Sequence, residues 1–290
     1  MKTRFLVCCA LLVVVAGCSK KAPQEPPVAA AGISFNHPRV PLDSPVEVKY
    51  RFVVAPQAKI DADYWVFVHF LEGGSREMMW TDDHVPPSPT SQWRPGQVIE
   101  YTRTIFAPVY PYVGEATVEL GLYNRKTQKR LTLTGGTDRG HQSYEMLKFE
   151  LLPQSENIFL IYKDGWYQTE VAQGNPMVEW QWTKKEATLA FRNPKRDVFF
   201  YLQVGPPPLA MADQQTVTVR VGDQPVDTFV PKAGMLRKVA LTAAQLGPGE
   251  MTEVKIGVDK TFVPSLLPTS PNRDDRELGV CVYHAFVQPQ

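Results

Sequence analysis

The densest run of side chains capable of chemistry lies at residues 80–93, which read WTDDHVPPSPTSQW. Two adjacent carboxylates, Asp82 and Asp83, precede His84, and these residue types bind metal ions or move protons. Trp93 closes the stretch with a ring that could lie against a ligand. The sequence therefore offers Asp82, Asp83, His84 and Trp93 as candidate ligand-binding residues.

The order of these residues limits their chemistry. Adjacent aspartates on a strand point to opposite faces, so Asp82 and Asp83 cannot both ligate one cation without a bulge. A triad of Ser88, His84 and Asp83 would need three side chains of one proline-rich loop to converge. The prolines favour an extended connection instead, and we interpret the stretch chiefly as a loop clamped onto the fold by its tryptophans. Whether His84 or an aspartate faces outwards stays open at this point.

Aromatic residues of the second half form another group of candidates. Trp180 and Trp182 alternate along a predicted strand and share one of its faces, and Trp166 precedes them. Sugar-binding sandwiches place flat rings against the apolar faces of pyranoses and polar groups near the hydroxyls. Trp166, Trp180 and Trp182 are therefore candidate glycan contacts, although we expect at least one of Trp180 and Trp182 to belong to the core, because the face that they share can be a core face.

No standard catalytic signature is present. The sequence lacks GxSxG, HExxH, CxxC, GxGxxG and P-loop motifs. We predict a protein that is not an enzyme and that holds neither a cofactor nor a metal, and we keep a metal-dependent hydrolase using His69 and the 82–84 residues as a weaker alternative. His69 itself lies in an apolar strand, where a satisfied core histidine is the expected role.

Charge and cysteine content narrow the possible partners. The chain has 31 basic and 30 acidic residues, which implies no basic surface for nucleic acid. Of its four cysteines, Cys8, Cys9 and Cys18 lie at the N-terminus. Cys281 is left in an apolar strand, where we expect a buried thiol and no internal disulfide.

The N-terminus has the pattern of an export signal. A basic start at Lys2 and Arg4 precedes an apolar run that is too short to span a bilayer. The following Val-Ala-Gly-Cys at residues 15–18 resembles the lipobox of bacterial lipoproteins. This resemblance implies a signal peptide at 1–17 and a lipidated Cys18 that anchors the chain in the lipid bilayer. Ser19 favours the periplasmic side of the outer membrane if the cell is Gram-negative. Residues 18–32, rich in proline and alanine, are predicted to form a tether.

From Ile33 onward the apolar residues recur with period two, as in half-buried strands. Turn residues such as Pro95-Gly96 separate these runs at short intervals. The sequence predicts an all-β protein of two tandem β-sandwich domains: an immunoglobulin-like sandwich over 33–152 and a jelly-roll-like sandwich over 154–290. One helical turn is indicated at 242–246.

Two sets of segments carry a further resemblance. The first set comprises His69–Leu71, Asp82–His84, Pro89–Gly96, Tyr112–Gly114, Gly121–Asn124 and Arg130–Leu131. The second set comprises Gly165–Tyr167, Trp182–Thr183, Phe262–Ser265 and Asp275–Val280. The first half resembles accessory immunoglobulin-like modules of bacterial membrane glycosyltransferases of the mannosyltransferase type, and the second is similar to β-sandwich tails of other glycosyltransferases. The resemblance implies a partner in envelope glycan chemistry and names no catalytic residue.

These observations lead to one expected function and one alternative. We expect a membrane-anchored, non-enzymatic lipoprotein of the cell envelope that binds envelope or exported glycans. The alternative is a structural or protein-interaction module that positions an envelope enzyme.

Overall fold

The computed structural model describes residues 25–211, 215–268 and 272–290. The predicted signal peptide, Cys18 and the first part of the tether lie outside the described residues, so cleavage and lipidation stay predictions. Within the described ranges, no helix is long and apolar enough to cross a membrane.

The strands of the first half form two facing sheets. Their bounds are β1 (Ala29–Phe35), β2 (Arg39–Pro41), β3 (Pro45–Val54), β4 (Trp65–Glu72), β5 (Met78–Thr81), β6 (Val98–Phe106), β7 (Gly114–Tyr123), β8 (Arg130–Leu131), β9 (Leu133–Thr134), β10 (Thr137–Asp138) and β11 (Tyr144–Leu152). One sheet has the order β6-β3-β1-β9, and the other has the order β10-β11-β7-β4-β5, with β2 on β11 and β8 on β7.

This strand order confirms the predicted immunoglobulin-like sandwich, because β1, β3 and β6 pair in the order A-B-E of that fold, and β5, β4, β7 and β11 pair in its order C′-C-F-G. Alternate residues of β3 face the core, where Tyr50 and Phe52 are fully buried. They meet Phe70 and Leu120 of the opposite sheet in one apolar cluster.

The first strand begins earlier than the sequence indicates. β1 starts at Ala29, four residues before Ile33, so the predicted tether over 18–32 is too long at its C-terminal end. Ala29 and Ala31 face the core and are 1% and 6% exposed. In the sequence, small alanines near prolines indicate a linker. In the structure their side chains face the core and their backbone pairs with β3.

The strands of the second half form two five-stranded sheets. Their bounds are β12 (Leu160–Tyr162), β13 (Glu170–Ala172), β14 (Asn175–Trp182), β15 (Glu186–Arg192), β16 (Val198–Val204), β17 (Val217–Val221), β18 (Gln224–Phe229), β19 (Met235–Leu241), β20 (Met251–Val258) and β21 (Cys281–Pro289). The sheet orders are β12-β15-β20-β17-β18 and β13-β14-β21-β16-β19. If β12 and β13 are set aside, each sheet has the alternating four-strand order of a jelly roll, which confirms the predicted kind of sandwich.

The single α-helix of the described residues, α1 (Ala243–Leu246), confirms the predicted helical turn. The Thr242 hydroxyl accepts a hydrogen bond from the Gln245 amide and the Gln245 side chain reaches back to the Thr242 amide, which is a capping box.

The two sandwiches contact each other through the outer face of the β13-to-β19 sheet. The ring of Phe106 stacks on His284 with centroids 4.5 Å apart. Lys238 forms an ion pair with Glu47, and the Gln288 side chain donates a hydrogen bond to the Pro45 carbonyl at 3.4 Å. Part of this outer face is therefore covered by the first sandwich, and the rest is open.

Candidate functional site

The stretch at 80–93 does not form a cleft. Asp82 follows β5 and turns towards the opposite sheet, where its carboxylate accepts two hydrogen bonds from Arg103, at 2.9 and 2.7 Å, and one from the Tyr50 hydroxyl at 3.0 Å. The Asp82 side chain is 11% exposed. These three hydrogen bonds occupy most of the lone pairs of the carboxylate, so little acceptor capacity is left for a ligand.

His84 belongs to the same network. Its residue is 5% exposed, its Nδ1 lies 2.7 Å from the Asp82 carbonyl and its Nε2 lies 2.8 Å from the Tyr101 hydroxyl. Burial lowers the pKa of His84, which favours the neutral imidazole. The open question from the sequence is thereby answered for His84, since both ring nitrogens are engaged inside the protein.

Asp83 points the other way, as the strand alternation requires. Its Oδ1 accepts a hydrogen bond from the Val68 amide at 3.1 Å and lies 3.9 Å from His69 Nε2, which is beyond a hydrogen bond. The His69 side chain is 26% exposed, so it is less enclosed than a core histidine. Asp82 with His84 and Asp83 with His69 thus diverge into two pairs, and the described residues contain no group of three or more His, Cys, Asp or Glu able to hold a metal.

The tryptophans of the stretch are structural. Trp93 is 6% exposed, packs against Phe52 and donates its indole N–H to the Ser88 carbonyl at 3.0 Å. Trp80 stacks on Phe70 with centroids 4.6 Å apart. The interpretation of residues 80–93 as a clamped connection agrees with this geometry, whereas the assignment of Asp82, His84 and Trp93 as ligand contacts does not.

Trp166 is also tied into the fold. Its indole N–H donates to the Thr188 carbonyl at 2.9 Å, and its ring packs against the second core and the edge of Tyr162. Trp166 therefore packs against the second core and lies outside the cavity described next, whereas neither Trp180 nor Trp182, of which we expected at least one in the core, belongs to that cluster.

Trp180 and Trp182 line a cavity of about 530 Å³ on the outer face of the β13-to-β19 sheet. Both are half-buried, and neither indole N–H is hydrogen-bonded to another described residue. This separates them from Trp93 and Trp166, whose N–H groups are occupied. A cavity of this size with aromatic walls and a few polar groups has the usual properties of a small-ligand site.

A β-bulge shapes the floor of this cavity. In β21, His284 pairs with Gln203 and Val282 pairs with Val204, so Tyr283 is the extra residue. The bulge turns Tyr283 to the outer face beside Trp180, with ring centroids 6.2 Å apart, and His284 to the contact with the first sandwich. Bulges that redirect a side chain recur beside binding sites.

Two loops form the walls. Gly205 follows β16 and lies close to Tyr283, since an added Cβ would lie 3.2 Å from the Tyr283 ring. The prolines at 206–208 come next and make this loop stiff. The facing wall carries Phe262, whose ring meets Trp182 edge-on at 5.5 Å.

The charged groups of the cavity lining are Glu170 and Asp274. Arg276, which is not part of the lining, joins them: its Nη2 donates to Glu170 Oε1 and to Asp274 Oδ2, each at 2.6 Å, and its Nε donates to Asp274 Oδ1 at 2.9 Å. The hydrogen bonds from Arg276 lower the pKa of Asp274, so this carboxyl is ionised near neutral pH. Glu170 and Arg276 are more than one hundred residues apart in the sequence, so only the fold brings this pair together.

Cys281 also borders the cavity, and the thiol is the single free cysteine among the described residues. Burial raises its pKa to about 12, so the thiol stays protonated, as predicted for a buried apolar strand.

No protein-family model and no curated protein matches this chain. Among solved structures, it is similar to the CBM51-2 and INT domains of ZmpB from Clostridium perfringens, at 10% identity over 62% of this chain and 39% of that chain, with a TM-score of 0.23. It is also similar to Bacteroides uniformis beta-glucuronidase 2, at 10% identity over 87% of this chain and 28% of that chain, with a TM-score of 0.27. A collagen adhesin from S. aureus shares 7% identity over 91% and 96% of the two chains, with a TM-score of 0.20.

The first two of these matches extend over well under two thirds of the other chain. Similarities at such low identity and TM-score carry no conclusion about the site. The assignment of function rests on the cavity itself.

Proposed function

We propose that this protein is a non-enzymatic, lipid-anchored glycan-binding protein of the cell envelope, and that the cavity at Trp180 and Trp182 holds the sugar. The observation that carries the proposal is the pair of half-buried indoles on an open sheet face, whose N–H groups form no hydrogen bond with another described residue. Such rings can stack on a pyranose while the carboxylate of Glu170 accepts hydrogen bonds from its hydroxyls.

The position of the cavity agrees with an anchored protein. Ala29, next to the predicted tether, pairs with Val54 at one end of β3, whereas Pro45 at the other end contacts Gln288 of the second sandwich. A strand of this length spans roughly 30 Å. A tether attached at Ala29 would therefore place the first sandwich next to the bilayer and the cavity-bearing sandwich farther from it.

Binding is tested with a glycan array followed by calorimetry on the glycans retained. We expect Trp180→Ala and Trp182→Ala each to weaken binding by about tenfold or more, which is at least about 1.4 kcal/mol. Trp166→Phe, which keeps an aromatic ring in the second core, is the matched control and should bind normally. An array without ligands, or equal binding by Trp182→Ala, would overturn the proposal.

The anchor is tested separately. Cys18→Ser should abolish incorporation of labelled palmitate and move the protein out of the membrane fraction. Labelling that persists in the Cys18→Ser variant would contradict the lipobox assignment.

A protein-interaction role is the second candidate, and an exposed apolar edge supports it. Next to and within the edge strand β12, Phe159 is 79% exposed and Ile161 is 50% exposed. Apolar side chains beside an unpaired strand edge suit contact with another protein. Crosslinking in membranes with wild type and Phe159→Ser distinguishes the candidates, because a scaffold must capture a protein through this edge and a glycan-binding protein need not.

A further inference from the structure

The charge of the cavity restricts the class of sugar. Its lining carries two carboxylates, from Glu170 and Asp274, and no lysine, arginine or histidine among the described residues. Arg276 compensates one of the two charges but is not part of the lining, and its guanidinium lies 5.1 Å from the Tyr167 ring. A ligand in the cavity therefore contacts lining groups whose charges are negative, and Arg276 reaches it only through the carboxylates.

Arg276 also fixes the carboxylates rather than competing for the ligand. It holds Asp274 through Nε and Nη2, and it holds one oxygen of Glu170. The other oxygen, Glu170 Oε2, receives no hydrogen bond from another described residue, so an ordered acceptor is available at the cavity. An acceptor held in place by an arginine loses less entropy on binding a donor than a mobile surface side chain does.

The aromatic groups favour the same sign of charge. The faces of Trp180, Trp182 and Tyr283 carry negative electrostatic potential and attract a cation placed above them. Carboxylates and ring faces thus act together on a positively charged group, and both oppose a carboxylate or a phosphate.

We infer that the cavity selects glycans containing a free amino sugar, binds neutral sugars more weakly and excludes uronic acids and phosphorylated sugars. The inference rests on the proposed function, since it assigns the sugar class to the same site. A protonated amine lies over the indoles and donates to Glu170, and Asp274 adds negative charge beside it, while the remaining hydroxyls bind as in a neutral sugar.

The test measures binding of the purified full chain to short oligosaccharides of glucosamine, N-acetylglucosamine, glucose and galacturonic acid. Calorimetry is carried out near pH 6, where an amine of this kind is protonated. The glucosamine oligosaccharide should bind about threefold to tenfold more tightly than the glucose one, and added salt should weaken only the former. Galacturonic acid should not bind.

Variants separate charge from shape. Glu170→Gln should weaken binding of the glucosamine oligosaccharide more than binding of the glucose one and so remove most of the advantage of glucosamine, because the amide oxygen still accepts a hydrogen bond from a hydroxyl but carries no charge. Asp274→Asn should act in the same direction, and circular dichroism establishes that each variant is folded. Glu179→Gln is the matched control, because Glu179 lies on β14 but does not line this cavity.

The outcomes distinguish the two proposals. Binding that depends on Trp182 but is equal for glucosamine and glucose, or stronger for galacturonic acid, overturns the amino-sugar inference and leaves glycan binding standing. Failure of the glucosamine oligosaccharide to bind overturns the inference in every case. If none of the four binds and an array is also empty, the glycan-binding proposal falls with it.

Discussion

The buried network at Asp82 should be a stability element of the first sandwich. Asp82→Ala leaves the fully buried Tyr50 without its hydroxyl acceptor and Arg103 without two charge-assisted hydrogen bonds. Breaking a fully buried pair costs about 3–5 kcal/mol, and the 38% exposure of Arg103 favours the lower end of that range. We expect a loss of about 3 kcal/mol in the free energy of unfolding.

A double-mutant cycle gives the sharper test. Arg103→Met leaves Asp82 with the Tyr50 hydroxyl and with His84 Nδ1 at 3.5 Å, so it should cost about 2 kcal/mol. The double variant should cost about 3–4 kcal/mol, less than the sum of the single variants, because the two side chains share one interaction.

The assay is urea unfolding followed by circular dichroism and tryptophan fluorescence, analysed for the transition of the first sandwich. Glu100→Ala is the matched control, because Glu100 lies on β6, the strand that also carries Arg103. Its ion pair with Lys49, at 2.7 Å, is exposed and worth less than about 1 kcal/mol. A change below about 0.5 kcal/mol for Asp82→Ala would refute the structural assignment and return Asp82 to the ligand candidates.

Three further predictions concern pH, packing and the thiol. Burial lowers the pKa of His84, so the unfolded chain takes up a proton at higher pH than the folded chain. The contribution of His84 to stability is therefore present above about pH 6.5 and is lost as the pH falls below it; urea midpoints at several pH values measure this loss, and His84→Gln should reduce it. Gly121→Ala would place a Cβ 2.3 Å from the Phe67 ring and 2.6 Å from the Gln142 carbonyl, and thermal unfolding should show a loss of about 2–3 kcal/mol; an unchanged midpoint would contradict the packing. Cys281 should react with a thiol reagent at pH 8 only after denaturation, because burial keeps it protonated; rapid labelling of the native protein would be inconsistent with its 5% exposure.

Local sequence patterns are sufficient for much of the architecture. Alternation in β3 places Tyr50 and Phe52 inside, and the same period-two rule separates Asp82 from Asp83. Both are properties of a single strand and need no knowledge of its neighbours. Such patterns fail at the start of β1, which begins at Ala29, because alanine carries too little apolar surface to mark a buried face.

The candidate site depends on contacts that are distant in sequence. The pairing of Trp180 and Trp182 on one face follows from their spacing, but their exposure does not, because a core strand has the same pattern. Trp166 and Trp93 look equivalent to them in the sequence. The structure distinguishes these two, because each indole N–H donates a hydrogen bond to a backbone carbonyl.

The sequence by itself determined an all-β chain of two sandwiches, the divergence of the neighbouring aspartates and the shared face of two tryptophans, because these depend on local backbone periodicity. Only the tertiary structure decided that Asp82 and His84 are hydrogen-bonded within an internal network. It also decided that Glu170, Asp274 and the bulged Tyr283 lie in the same cavity as Trp180. Those positions depend on strand register and on an arginine bridge across more than one hundred residues, and no local pattern encodes either.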